Sequence, residues 1–129
     1  MSDIFERLSD LQCEITPCGS RVTCDPVPEG ADTDYLVLVR HRNLEKIAEL
    51  LYDAGFRPEG GEHYQDLLVK NTFTSWRDAA DTNIILTSDG DFVHKHHAAT
   101  ALCKRLNLLD KQDRIAAFQA VLYGHIHDA

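Results

Sequence analysis

No apolar run in this sequence approaches the roughly 20 residues that a membrane-spanning helix needs. Residues 1–6, Met-Ser-Asp-Ile-Phe-Glu, lack the basic start and apolar core of a secretory signal, so a cytoplasmic protein is expected. Basic residues are also scarce: 13 lysines and arginines stand against 21 acids, for a formal charge of -8. A chain of that balance has no positive field for a duplex backbone, and double-stranded DNA is not an expected partner. Cysteine is sparse. Cys13, Cys18, Cys24 and Cys103 form no CxxC pair and have nothing of the density of a small disulfide scaffold, so they are expected as free thiols, buried or semi-exposed. Histidine is more plentiful, with His94, His96, His97, His125 and His127 crowding two places. Of these only His94 and His97 share a helix face by spacing, and no cysteine lies at a matching interval. The histidines therefore read as solvated or partner-facing groups rather than a zinc site.

What is present suits a globular protein. Hydrophobic residues make up 43% of the 129 positions and charged residues 26%, with no internal repeat, low-complexity tract or interdomain linker, which predicts one domain over residues 1–129. Ile4, Phe5, Leu8 and Leu11 recur at helical intervals behind a Ser2 or Asp3 cap. Residues 14–18 read as a short strand, which Pro17 confines to an edge or a strand end. Pro26, Pro28 and Gly30 exclude a long helix from 21–31 and favour a loop. The continuous apolar run at 34–39 predicts a strand buried on both faces and central in a sheet. Asn43 is placed to cap a helix whose stripe is Leu44, Ile47, Leu50, Leu51 and Ala54, with Gly55 as its left-handed stop.

Residues 57–62 read as a turn-rich connector. Further strands are expected at 67–69, 72–76 and 83–87, with a turn at 78–81. Asp89 caps a helix over 92–106 that buries Phe92, Ala99, Cys103 and Leu106. A last helix starts at Asp110, buries Ile115, Phe118, Val121 and Leu122, and stops at Gly124. Tyr64, Phe73, Trp76 and Tyr123 are read as core rather than as stacking platforms. The whole is an α/β domain of the α+β type, a small mixed β-sheet flanked by helices and closed by a C-terminal helical hairpin.

One stretch carries chemistry. Gly19 and Ser20 form a flexible pair, and after a polar loop Asp32 and Asp34 open the most apolar strand. Carboxylates at i and i+2 on a strand point to one face, about 6 to 7 Å apart along it, a geometry able to hold a divalent cation. The bland alternative is an acidic strand start and an ordinary turn. Against it, like charges facing one way at a buried strand repel unless something compensates them.

This arrangement of Gly-Ser, a loop, Asp-x-Asp and an apolar strand resembles the signature of the nucleotidyltransferase superfamily typified by DNA polymerase beta, including its minimal, antitoxin-type members. The resemblance covers mainly residues 15–39. It implies a nucleotidyltransferase fold in which Gly19 and Ser20 receive a triphosphate and Asp32 and Asp34 hold magnesium or manganese. Magnesium suits such a site because it binds through one or two carboxylates together with substrate phosphates. Arg21 then stands either as a planar cation toward the phosphates or as an exposed surface charge. The tail, residues 104–111 and 118–124, is similar to small phage-encoded proteins of this class, which would place the chain in a host cytoplasm.

The departure from the pattern lies on a neighbouring strand, where Asn83 stands at the expected place of a third acid. An amide offers a carbonyl oxygen but no charge and no basic site. Asp81, two residues earlier, shares its face if the strand extends that far. Two readings follow: a magnesium-dependent enzyme that moves a nucleoside monophosphate onto a protein, an RNA end or a small molecule, or a catalytically inactive module that keeps the fold and binds a nucleotide or a host protein. An oligomer that supplies a second substrate surface is compatible with either.

Overall fold

A computed structural model describes residues 3–59 and 72–126. The elements run α1 (Ile4–Asp10), β1 (Glu14–Cys18), α2 (Ser20–Thr23), β2 (Thr33–Leu38), a 3-10 turn (His41–Asn43), α3 (Leu44–Asp53), β3 (Arg57–Glu59), β4 (Phe73–Arg77), β5 (Thr82–Thr87), α4 (Gly90–Leu106) and α5 (Lys111–Tyr123). The strands make one mixed sheet in the order β1-β2-β5-β4-β3. Among the described strands only β2 and β5 are parallel; every other pair is antiparallel. No described helix is long and apolar enough to cross a membrane.

Strand alternation sorts the side chains into two cores. Leu36 and Ile85 face one way and pack with Phe92, Ala99 and Cys103 of α4 and with Phe118 and Leu122 of α5. Val37, Ile84 and Leu86 face the other way, against Leu8 of α1 and Ile47 and Leu51 of α3. The sheet is thus a middle layer between two helical layers. Full burial of side chains such as Leu36, Ile84 and Leu51 stabilises the fold by roughly 1.5–3 kcal/mol each before entropy is counted.

Several expectations change here. β2 is interior and flanked on both sides, but β5 is the middle strand of the order. The loop expected from residue 21 starts with a helical turn, α2, because the breakers begin only at Pro26. Residues 57–59 form a strand rather than a turn. Pro58 is tolerated there because, among the described strands, β3 pairs only with β4 and so lies at the sheet edge. Asn43 occupies the position before α3 without a side-chain cap; it ends the 3-10 turn, whose own closure delivers the chain into the helix. Leu106 is 58% exposed, because α4 ends there and the chain reverses at a left-handed Asn107. The expected strand at 67–69 and Tyr64 lie outside the described residues.

The cap residues Asp3, Asp89 and Asp110 accept from the first backbone N–H groups of α1, α4 and α5. Asn107 fastens the hairpin to the loop after α2. The Asp25 N–H donates to Asn107 Oδ1 at 2.9 Å, and Asn107 Nδ2 donates to the Asp25 carbonyl, also at 2.9 Å. With φ of 47°, position 107 also uses a conformation that asparagine tolerates better than most residues. Asn107→Ala is expected to lower the unfolding free energy by about 1–3 kcal/mol in urea titrations. Asn107→Gly, which relieves the backbone but not the lost hydrogen bonds, should recover only part of it.

Candidate functional site

The register lines up chemistry in a single row. Cys18 of β1 faces Asp34 of β2, Asp34 faces Asn83 of β5, and Asn83 faces Arg77 of β4. Directly opposed residues share a face, here the face covered by α4 and α5. Between that face and α5 lies a cleft of about 490 Å³. Gly19, Ser20, Asp32, Asp34, Asn83 and Arg77 line it from the sheet side, with Asp81 at its margin. Lys111, Arg114 and Phe118 line it from α5, and His96 from α4.

Gly19 is required by contact as well as by conformation. Its φ of 77° and ψ of -169° fall in a region open essentially to glycine alone. A side chain there would collide with the Asp34 carboxylate. The backbone at 19–20 is therefore pressed directly against the acid on the next strand. Ser20 follows at the start of α2.

The two aspartates differ in their compensation. Asp32 Oδ2 accepts from Arg77 Nη1 at 2.8 Å, and Arg77 Nε is held by Glu59 Oε1 at 2.8 Å. Burial opposes the charge on Arg77, but the hydrogen bonds to Asp32 and Glu59 outweigh it and raise the guanidinium pKa. Among the described residues Asp34 makes no ion pair. Its Oδ1 accepts from Asn83 Nδ2 at 3.1 Å. Burial, then the Asp32 charge, pushes the Asp34 carboxyl from an ordinary 3.8 up to about 6. Cys18 beneath it is held as a neutral thiol by burial and by both aspartates.

Asn83 is buried and fully oriented. Its carbonyl accepts from Ser75 Oγ at 2.7 Å, which turns the amide nitrogen toward Asp34. The expected metal-facing carbonyl is thus engaged elsewhere, and Asn83 acts as a donor to the acid. Asp81 does not extend the strand: β5 begins at Thr82, position 81 has φ of 59° in the preceding turn, and its carboxylate, 73% exposed, lies 3.7 Å from Arg77. Arg21 faces neither aspartate's side chain. It donates to the carbonyls of Ala31 at 2.7 Å and Asp32 at 3.2 Å, which ties the loop bearing Asp32 back to α2.

Among the described residues no three histidine, cysteine or acidic side chains gather as a metal cage. Two carboxylate donors nevertheless match a hard cation that brings its remaining oxygen ligands with it. The high pKa of Asp34 marks a charge that such a cation would relieve.

The sequence reading missed Arg77, Glu59, Ser75 and His96. Alternation from Phe73 places Ser75 and Arg77 on its face, but the pairing of Arg77 with Asp32 spans 45 residues and leaves no local trace. His96 corrects the expectation of solvated histidines. It is 1% exposed between Phe92 and Phe118, and burial, with the neighbouring His97 charge, lowers its pKa to about 4. His94 and His97 are exposed as expected, and His127 lies outside the described residues. All four cysteines are free thiols.

No family model and no curated protein matches the chain. Among solved structures, terminal uridylyl transferase 4 from Trypanosoma brucei with bound UTP and UpU matches over 88% of this chain and 39% of its own. The identity is 15% and the TM-score 0.52. A cytoplasmic RNA terminal U-transferase matches over 88% of this chain and 32% of its own, at 17% identity and a TM-score of 0.49. The Cid1 poly(U) polymerase matches over 88% and 34%, at 16% identity and 0.48. The chain spans about two-fifths or less of the length of these proteins. It has the nucleotidyltransferase fold: a five-stranded mixed sheet between helices, as the Gly-Ser and Asp-x-Asp resemblance implied.

Two outcomes follow from this geometry. Gly19→Ala adds a steric collision to a strained backbone and should cost at least about 1–3 kcal/mol in urea titrations. The pH dependence comes from Asp34, whose raised folded-state pKa gives a contribution that is fully present below pH 3.8 and lost as the pH climbs through about 6. In metal-free buffer, the Tm of Asp34→Asn minus that of the natural protein should therefore increase from pH 4.5 to pH 7.5. The corresponding change is on the order of 1–3 kcal/mol; a constant difference across that range would contradict the assignment.

Proposed function

We propose that this chain binds a nucleoside triphosphate as its magnesium or manganese complex and transfers the nucleoside monophosphate to an acceptor hydroxyl. The observation that carries this reading is the bare backbone of Gly19 pressed against the Asp34 carboxylate, with Ser20 beside it. Such an apposition brings phosphate oxygens and an acidic metal ligand within one ion's reach, and only glycine permits it. Ser20 supplies a hydroxyl donor to phosphate, and Asp32 and Asp34 hold the metal. Lys111 and Arg114 give the opposite wall positive charge toward a polyphosphate. Arg21 serves indirectly by fixing the loop that carries Asp32. A metal held by Asp32 and Asp34 would supply positive charge to offset the negative charge that builds as pyrophosphate leaves.

UTP is the nucleotide to test first and an RNA end the first acceptor, because the matching transferase from Trypanosoma brucei carries UTP and UpU. A protein hydroxyl and a small-molecule hydroxyl are the other acceptor classes. A second reading rests on Asn83: with its carbonyl on Ser75 and its nitrogen on Asp34, no third acid or proton acceptor stands at that position. On that reading the domain binds the metal nucleotide without transferring it.

Thermal shift with each nucleoside triphosphate, with and without magnesium, tests binding. A ligand at 100 times its Kd should stabilise the fold by about 2.7 kcal/mol. The rise is expected only with the metal and should vanish in the Asp32→Asn, Asp34→Asn double variant. No response to any nucleotide would overturn both readings. Incubation with α-phosphate-labelled nucleotide and an RNA oligomer then separates them, since label on the acceptor supports transfer and binding without label supports the inactive module.

A further inference from the structure

We propose that Arg77 is a built-in cation of the nucleotide site, taking at Asp32 the place that a second metal ion would hold, so that the loaded site carries one divalent ion. The inference rests on the nucleotide-binding reading above and adds the number of ions and the residue that sets it.

Three observations converge on Arg77. First, its guanidinium is fixed from two sides, by Asp32 Oδ2 and by Glu59 Oε1, each at 2.8 Å, and it is only 28% exposed. A planar donor held in this way presents a permanent charge with set geometry, unlike a mobile surface arginine. Second, the row Asp34, Asn83, Arg77 runs across three adjacent strands, so the residue between the acid and the guanidinium is a neutral amide. That amide points its nitrogen at Asp34 and its oxygen at Ser75. Within that row, no acid stands between Asp34 and Arg77. Third, Asp81 faces Arg77 at 3.7 Å from an exposed turn rather than joining Asp32 and Asp34.

The consequence is electrostatic. A divalent ion shared with the triphosphate at Asp34 meets a carboxylate without its own cation. A second divalent ion at Asp32 would have to displace the guanidinium or sit beside it against the repulsion of its charge. Charge at that place is already supplied by the chain. Arg77 Nη2 makes no hydrogen bond to the described residues, and the side chain lines the cleft, so the guanidinium keeps donor capacity for a phosphate oxygen.

The test counts ions. The full chain is titrated with Mn2+ in the presence of a UTP analogue with an imido bridge between the α and β phosphates, and free Mn2+ is read by electron paramagnetic resonance. One bound ion per chain is expected for the natural protein, and two for the Arg77→Met, Asn83→Asp double variant, its fold checked by near-ultraviolet circular dichroism. Two ions in the natural protein, or still one in the folded double variant, would overturn the role of Arg77 while leaving nucleotide binding intact. Absence of any metal-nucleotide binding by the natural protein would overturn the functional reading and this one together. Should the double variant not fold, Arg77→Gln without nucleotide decides: at least tenfold tighter Mn2+ binding is expected once Asp32 loses its guanidinium, and unchanged affinity overturns the proposal.

Discussion

Two carboxylates on one face, at the mouth of a half-buried cleft, form an arrangement that water alone cannot stabilise. Everything around the cleft answers to that constraint. Arg77 neutralises Asp32 from across two strands, Asn83 donates to Asp34, and Ser75 holds Asn83 in the orientation that makes the donation possible. Even so Asp34 retains a pKa near 6, so compensation is incomplete at one acid. The cation of the proposed function would relieve that under-compensated carboxylate, as it would not a fully paired surface cluster.

The sheet makes this possible through its one parallel pair. β2 and β5 run side by side, which puts Asp34 directly beside Asn83 at the same end of both strands. Because β4 turns back into β5 through the turn at 78–81, Arg77 stands next to Asn83 as the end residue of its strand. The polar row is thus confined to one end of the sheet, while Leu36 and Ile85, two residues further along, already belong to the hydrophobic core under α4 and α5.

Much of the fold was legible in the residues. The stripes of α1 and α5, the helix starts at Asp3, Asp89 and Asp110, the stop at Gly124 and the edge strand marked by Pro17 all report local physics, and the structure has them where local physics puts them; the α3 stripe holds from Leu44 to Leu51, but Ala54 is exposed because the helix ends at Asp53. The failures are those of longer range. A three-residue edge strand such as β3 has too little pattern to stand out from a turn, and only its pairing with β4 defines it. The site divides in the same way. Gly19, Ser20, Asp32 and Asp34 were visible because they cluster within 16 positions, whereas Arg77 and Glu59 enter through sheet pairing. Asn83 was identified as the unusual position, but not which way its amide would turn, since that depends on Ser75 eight residues away on another strand.

The reciprocal hydrogen bonds between Asp25 and Asn107 join the segment leading to Asp32 to the bend between the two long C-terminal helices. That clasp makes the loop rim of the cleft and its helical wall mechanically continuous. With the hydrogen bond from Cys24 Sγ to the Leu108 carbonyl beside it, a shift of the helical hairpin would carry the strand-leading loop with it.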